Sequence, residues 1–279
     1  MSYKVVIDSC GELTQDMKES GHFESVPLSI DIDGYCVVDD DTFDQADFLK
    51  RVAASPNCPK SSCPSPEKYM ETYHCKEERI YVITLSASLS GSYNSAVLGK
   101  NLYHEEQGEK KIHVFDSCGA SVVQAAIGMK IVECEEAGMD FETIVDKVEA
   151  YRDEATVYFV LESLETLRKN GRLTGLKAFV ATALNIKPVM GATNQGIIYQ
   201  LSQARGTNKA LAKMVDIMVG EVKNPEQKVL GIAHCNCPER AQAVKELVEA
   251  KIKPKKIFIV NTRGISTLYA NDGGIIMVV

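Results

Sequence analysis

In the first half of the chain, short β-branched runs alternate with helical patterns, and this alternation constrains the fold more than any other feature. The runs lie at residues 4–7, 80–85 and 112–115, and each ends in a turn rich in hydroxyl groups. Such alternation is typical of a parallel sheet with crossover helices. The sequence Asp-Ser-Cys-Gly occurs twice directly after a strand, at residues 8–11 and 116–119. We therefore expect two similar turns at the carboxyl edge of one sheet, where open α/β sheets bind ligands.

The second half has a different pattern. A plausible hairpin turn, Asn194-Gln195-Gly196, separates two apolar runs. The predicted strands there are residues 156–161, 186–192, 197–201, 229–234, 257–260 and 274–279, with helices at 164–170, 176–183, 207–222 and 238–251. In the first half, helices are predicted at 42–54, 121–137 and 140–152, and an extended segment at 26–32.

The length of 279 residues agrees with two domains, at roughly 150 residues per domain. We therefore predict an α/β fold with an N-terminal parallel-sheet three-layer domain over residues 1–155. A C-terminal mixed-sheet α/β domain is predicted over residues 156–279, with helices on one face of its sheet.

Composition narrows the class of protein. The chain is 45% hydrophobic and 25% charged, as ordinary globular proteins are. A formal net charge of -7 argues against binding to nucleic acid, which relies on clustered lysine and arginine. The start lacks the pattern of a signal peptide, and no apolar run reaches the roughly 18 residues of a membrane span. We expect a cytoplasmic protein. The one membrane interaction that the sequence still allows is transient contact with a membrane surface.

The nine cysteines are scattered and odd in number, which favours reduced thiols over a disulfide scaffold. Cys235 and Cys237 with His234, and the pair Cys58 and Cys63, lack the paired spacing that closes a zinc site. The sequence thus predicts no metal and no cofactor.

The densest group of polar side chains is the serine-rich turn at residues 85–96, where a strand leads into a helix. Free amides at a helix start form an anion site, to which Ser90, Ser92 and Asn94 can add donors. The alternative is that these serines only cap the helix. A second hydroxyl pair, Ser61 and Ser62, lies in the proline-rich segment 55–66, which is predicted to be irregular and rigid. If that segment folds over the sheet edge, both sets converge on one small anion.

No phosphate loop, dinucleotide turn or nucleophile elbow is present, and no histidine lies in these turns. Hydroxyl groups without a base indicate holding rather than attack, so we predict a binding protein and not an enzyme. The main alternative is a small-molecule phosphotransferase or hydrolase that uses Asp8 or Asp116 at the sheet edge. A third is an interaction module without any ligand.

At these residues the chain resembles the DegV family of bacterial fatty acid-binding proteins, which includes the binding subunits of fatty acid kinase. Residues 60–65 (KSSCPS) are similar to the family's KTSQPS loop, and residues 89–96 (LSGSYNSA) to its LSGTYQSA signature. Residues 167–173 (LRKNGRL) are similar to its LkkgGRi helix end. Each motif alone is weak, but the ordered set over nearly the whole chain is specific.

The resemblance implies that the ligand is a long-chain fatty acid such as palmitate. Ser61 stands where the family has a threonine and Ser90 where it has a serine, the two residues that hydrogen-bond the carboxylate. Tyr269 falls nearest the position of a family histidine that supports that carboxylate. The resemblance also implies a fatty acid kinase as partner, with Arg172 and Arg205 at positions implicated in docking it. The alternative for both arginines is a salt bridge that fixes a helix end.

An apolar tunnel between the domains would hold the acyl chain. Burial of each methylene contributes about 0.8 kcal/mol, so the tail would supply affinity and the hydroxyls orientation. The residues predicted to line the tunnel can equally be ordinary core; they are Val26, Leu28, Ile30, Phe159, Leu161, Leu164, Phe179, Ile186 and Met190.

Overall fold

A computed structural model describes residues 2–173 and 185–279. The helix predicted at 176–183, and with it Phe179, lies outside the described residues. The described strands are β1 (Tyr3–Asp8), β2 (Phe23–Val26), β3 (Ser29–Ile32), β4 (Tyr35–Val38), β5 (Lys60–Ser62), β6 (Arg79–Thr84), β7 (Lys111–Asp116), β8 (Val157–Val160), β9 (Ile186–Ala192), β10 (Ile198–Arg205), β11 (Val229–His234), β12 (Lys256–Asn261) and β13 (Ile275–Val278). The described α-helices are α1 (Gln15–Glu19), α2 (Gln45–Ala54), α3 (Pro66–Tyr73), α4 (Ser92–Gln107), α5 (Val122–Glu136), α6 (Phe141–Glu154), α7 (Glu165–Lys169), α8 (Thr207–Glu221), α9 (Pro238–Glu249) and α10 (Gly264–Ala270).

The N-terminal half is built on a parallel sheet of order β2-β1-β6-β7. Side chains alternate across a strand, so neighbours in β1 enter opposite layers. Val6 joins a core cluster with Tyr69 of α3 and Ala96 of α4. Val5 and Ile7 join the cluster that contains α5. Burial on both faces explains the nearly continuous apolar runs of the central strands β1 and β6, and the predicted three-layer α/β arrangement is confirmed.

A small antiparallel sheet, β4-β3-β5, extends from this half. The prediction that the segment 55–66 is irregular is wrong for residues 60–62, because β5 pairs with β3 and sets Ser61 opposite Ile30. The three residues of β5 lie between Pro59 and Pro64 and keep the amide groups that the edge of β3 requires. The pairing therefore holds Ser61 on a strand.

The C-terminal half contains a six-stranded mixed sheet of order β10-β9-β8-β13-β11-β12, in which β11 and β12 are parallel. The predicted hairpin forms between β9 and β10. Helices α8 and α9 pack in one core cluster with this sheet. Its other face shares a cluster with α5 of the N-terminal half. A common core therefore joins the two halves, and the predicted division at residues 155 and 156, between α6 and β8, stays a prediction.

Helix α10 was not predicted from the sequence. Its start is fixed by Asp39, a buried residue whose Oδ2 accepts a hydrogen bond from the amide of Ile265 at 3.0 Å. Gly264 lies so close to this carboxyl that any side chain there would collide with it. The helix carries Tyr269 toward β5. Among the described helices, none combines the length and apolar character needed to cross a membrane.

Candidate functional site

A cavity of about 410 Å³ lies between the two halves of the chain, at the carboxyl ends of β1, β6 and β7. Its volume falls in the range of small-molecule sites. Most of its wall is apolar; representative residues are Leu28, Leu85, Leu89, Phe159, Leu161 and Ile276. The polar groups of the wall include the hydroxyls of Ser61, Ser62, Ser90 and Tyr269, and the guanidinium of Arg172. Such a cavity suits a long apolar molecule with one polar end.

Both Asp-Ser-Cys-Gly turns meet this cavity, as expected for turns at one sheet edge. Cys10 of the first turn and Gly119 of the second line the wall. The carbonyl of Gly119 also accepts a hydrogen bond from the amide of Ser86 at 2.7 Å, which joins the second turn to the serine-rich turn. In the first turn, the Ser9 hydroxyl accepts a hydrogen bond from the amide of Leu28 at 3.0 Å. The repeated turns therefore shape the cavity.

Three of the polar side chains contact one another, with Tyr269 between Ser61 and Arg172. The Ser61 Oγ lies 2.9 Å from the Tyr269 hydroxyl, which brings β5 and α10 together. The Arg172 guanidinium lies 5.9 Å from the centroid of the Tyr269 ring, and its Nε donates to the carbonyl of Leu89 at 3.1 Å. Leu89 precedes Ser90 in the chain. These contacts place the hydroxyls and the cation in one region of the wall.

The protonation of Tyr269 suits a donor. Its partial burial raises the pKa of the phenol above its ordinary value, so the hydroxyl keeps its proton at neutral pH. A Tyr269 hydroxyl within reach of Ser61 gives a proton-donating pair that can serve an anionic oxygen.

Ser90 lies just before α4, where the first amides of the helix lack intrahelical partners. Its Oγ accepts a hydrogen bond from the amide of Ser92 at 3.2 Å, which leaves its own proton for another acceptor. Gly91 and Cys63 line the wall beside it. The start of α4, with its positive dipole end, therefore faces the cavity together with a hydroxyl donor.

Two of the predicted carboxylate ligands lie away from the cavity wall. Ser92 is fully buried, and its hydroxyl donates to Asp8 Oδ2 at 2.7 Å. Asn94 is exposed on α4. Because a helix turns by about 100° per residue, only the residues that precede its first turn face the cavity. The alternative that these serines only cap the helix does not describe Ser92 either, because the residue before α4 is Gly91 and the Ser92 hydroxyl bonds Asp8 instead of a helix amide.

The residues predicted to line the acyl chain also divide into those on the cavity wall and those away from it. Leu28, Phe159 and Leu161 line the cavity, and residues 158 and 160 face the opposite side of the sheet, as the period of two requires. The other described members lie outside the wall of the cavity: Val26, Ile30, Leu164, Ile186 and Met190. Val26 instead packs against the α3 and α4 layer, and Met190 is core of the six-stranded sheet.

Asp8 and Asp116, the residues of the alternative enzymatic hypothesis, also lie outside the cavity wall. Asp8 is fully buried, and burial raises the pKa of its carboxyl to about 6. Asp116 Oδ1 accepts hydrogen bonds from the amides of Cys118 at 2.9 Å and Ala87 at 3.1 Å. Both carboxyls hold turns together. Within the described ranges there is no cluster of three or more side chains suited to a metal.

The two arginines differ in position. Arg172 is half-buried in the cavity wall and donates through Nη1 to the carbonyl of Asn170 at 2.7 Å, just after α7. Arg205 is exposed at the end of β10. Arg172 thus binds backbone carbonyls around a helix end, and Arg205 presents its charge to solvent.

Comparisons with known proteins agree over the full length. A family model described as an uncharacterised protein of the DegV family matches residues 2–278. The chain is 59% identical to a DegV family protein from Ruminococcus gnavus whose crystal structure was refined with vaccenic acid; the TM-score is 0.98 and each chain is covered to 100%. It is 31% identical to the Streptococcus pneumoniae fatty acid kinase (Fak) B3 protein loaded with linoleic acid, with a TM-score of 0.89 over 100% of this chain and 99% of that chain.

A DegV domain-containing protein of Streptococcus pyogenes is 34% identical over 283 residues, or 99% of each chain. The family match and these relatives confirm the resemblance that the motifs indicate: this chain belongs to the DegV family.

Proposed function

We propose that this protein binds a long-chain fatty acid in the cavity between its two halves. Ser61, Ser90 and Tyr269 hold the carboxylate, with Ser62 beside them. The acyl chain runs along the apolar wall that includes Leu28, Phe159 and Leu161. The observation that carries the proposal is an apolar cavity whose wall holds the contacting hydroxyls of Ser61 and Tyr269 together with Ser90. Relatives that were solved with vaccenic and linoleic acid support it.

The energetic division between tail and head group supports this ligand class. At about 0.8 kcal/mol per methylene, a buried tail of about a dozen methylenes contributes roughly 10 kcal/mol before the losses of binding are subtracted. A carboxylate also needs donors wherever water is excluded, because an unpaired buried charge is strongly destabilising. The hydroxyls and the start of α4 supply those donors.

The protein itself is non-catalytic in this proposal, and it presents its fatty acid to a fatty acid kinase for phosphorylation. The similarity to the Fak B3 protein supports a kinase partner. Arg205, exposed on β10, and Arg172, at the wall of the cavity, are the proposed docking residues. A hydrolase or phosphotransferase that uses Asp8 or Asp116 is less well supported, because both residues lie outside the cavity wall and their carboxyls accept hydrogen bonds from backbone amides.

Solvent extraction of protein purified from cells, followed by mass spectrometry, tests the proposal. We expect about one long-chain fatty acid per chain. We also expect palmitate added to extracted protein to raise the melting temperature, since a ligand that binds only the folded state stabilises it. An empty extract together with an unchanged melting temperature would refute fatty acid binding.

A further inference from the structure

One buried carboxylate binds the serine-rich turn at two points, its first residue and the start of α4. Asp8, the last residue of β1, accepts a hydrogen bond on Oδ2 from the amide of Leu85, where the turn begins, at 2.8 Å. The same oxygen accepts from the hydroxyl of Ser92, the first residue of α4, at 2.7 Å. Its other oxygen, Oδ1, accepts from Nε2 of Gln124 on α5 at 2.8 Å. Asp8 thus connects β1, the turn, α4 and α5.

The connection continues to Ser90. The Ser92 hydroxyl gives its only proton to Asp8, so the Tyr69 hydroxyl, 2.5 Å away, must donate to Ser92. Ser92 is therefore fixed by its side chain from two directions. The Ser92 amide donates to Ser90 Oγ at 3.2 Å. This hydrogen bond orients the Ser90 hydroxyl and leaves the hydroxyl proton of Ser90 free to be donated to another acceptor. Ser90 lines the cavity, and Asp8 and Ser92 lie behind it.

We infer that Asp8 is a positioning residue for carboxylate recognition, acting through Ser92 on the hydroxyl of Ser90. This inference rests on the proposed function and deepens it. It assigns to the conspicuous first turn a role in selecting a ligand with a carboxylate over a ligand of the same length without one.

Both oxygens of Asp8 accept hydrogen bonds: Leu85, Ser92 and Gln124 all donate, and a carboxylate can accept from all three. In Asp8→Asn the volume is kept, but one oxygen becomes the NH2 group of an amide and the negative charge is lost. The Gln124 amide can turn over and accept from that NH2 group, whereas the hydrogen bonds from Leu85 and Ser92 then go to a neutral oxygen and are about half as strong. The substitution therefore loosens the turn and disturbs Ser90 without opening a cavity. Burial favours the neutral carboxyl and raises its pKa to about 6, so at pH 8 Asp8 is ionised and accepts at both oxygens.

The test compares affinities for palmitate and hexadecanol at pH 8. These ligands have the same chain, but hydrogen bonds to an ionised head group are about twice as strong as those to a neutral one. Losing a well-oriented donor should therefore weaken palmitate binding by about tenfold or more, whereas hexadecanol binding changes by less than about threefold. We expect Asp8→Asn and Ser92→Ala both to show this loss of selectivity.

The control is Val148→Ala, which truncates a fully buried side chain on α6 and destabilises the fold without touching the turn. Its ratio of palmitate to hexadecanol affinity should equal that of the wild type, which separates positioning from loss of stability. If Asp8→Asn does not fold, Ser92→Ala decides. An unchanged ratio of palmitate to hexadecanol affinity in Ser92→Ala, or in a folded Asp8→Asn, overturns the inference. In that case the proposed function still stands if the wild type binds palmitate. A wild type that binds neither ligand overturns both.

Discussion

Replacing Tyr269 by phenylalanine removes a single hydroxyl from the cavity and leaves the ring in place. That hydroxyl lies 2.9 Å from Ser61 Oγ and is protonated at neutral pH, because a tyrosine phenol has a pKa of about 10 and burial raises the pKa of Tyr269 further. A hydrogen bond to a charged group contributes about 1.5 to 3 kcal/mol net. Tyr269→Phe should therefore weaken palmitate binding by roughly tenfold to a hundredfold, with little change in the free energy of unfolding.

Isothermal titration calorimetry with palmitate measures this change. Ser61→Ala should give a loss of similar size, and the double variant should lose less than the sum of the two, because the hydroxyls contact each other. Tyr73→Phe is the matched control: it removes a buried hydroxyl that donates to the carbonyl of Ala96 at 3.0 Å, and neither residue lines the cavity. Equal palmitate affinities for wild type, Tyr269→Phe and Ser61→Ala would refute the assignment of this pair to the head group.

Three further predictions concern other parts of the molecule. Burial raises the pKa of the Glu12 carboxyl from 4.5 to about 7, so its protonation favours the folded state below pH 4.5 and this stabilisation is lost as the pH rises through 7. Glu12→Gln should thus be more stable than the wild type at pH 8, by up to about 3 kcal/mol in the free energy of unfolding measured with urea. The difference should shrink toward pH 5, and a difference that stays constant with pH would contradict the raised pKa of Glu12. Arg205→Ala should keep the palmitate affinity of the wild type but lower the rate at which a fatty acid kinase phosphorylates bound palmitate, and an unchanged rate would remove Arg205 from the docking surface. Cys63, exposed beside Gly91 at the cavity wall, should react more slowly with iodoacetamide when palmitate is bound, whereas exposed Cys36 should react equally in both states.

Local patterns predicted much of the fold. Strands β1 and β6 in the middle of the parallel sheet are buried on both faces, so their apolar runs are long and unambiguous. The hairpin of β9 and β10 was likewise predicted from Asn194-Gln195-Gly196, and Gly196 has the positive φ of 74° that the turn needs. These signals lie within a few residues of the elements they specify.

The features that were missed depend on distant partners. Strand β5 is only three residues long, and its pairing with β3 is set by an open sheet edge rather than by its own sequence. Helix α10 begins where the amide of Ile265 meets Asp39, more than two hundred residues earlier in the chain. No pattern in the neighbouring sequence predicts either contact.

The residues of the candidate site were likewise predicted only in part. Ser61, Ser90 and Tyr269 came from motif positions, and the structure brings Ser61 and Tyr269 into contact. Ser92 and Asn94 lie in the same segment as Ser90, but they belong to helix α4, and its helical turn places both residues away from the cavity wall. For the apolar residues, sequence indicates burial but not which face of a strand meets the cavity. Of the predicted residues that the structure describes, those on the wall are Leu28, Phe159 and Leu161.

A crystal structure of the protein with bound palmitate tests the central proposal most directly. We predict the carboxylate oxygens within hydrogen-bonding distance of Ser61, Ser90 or Tyr269, and the acyl chain in contact with Leu28 and Phe159. A carboxylate bound at any other place, or electron density for palmitate only outside this cavity, would contradict the proposal.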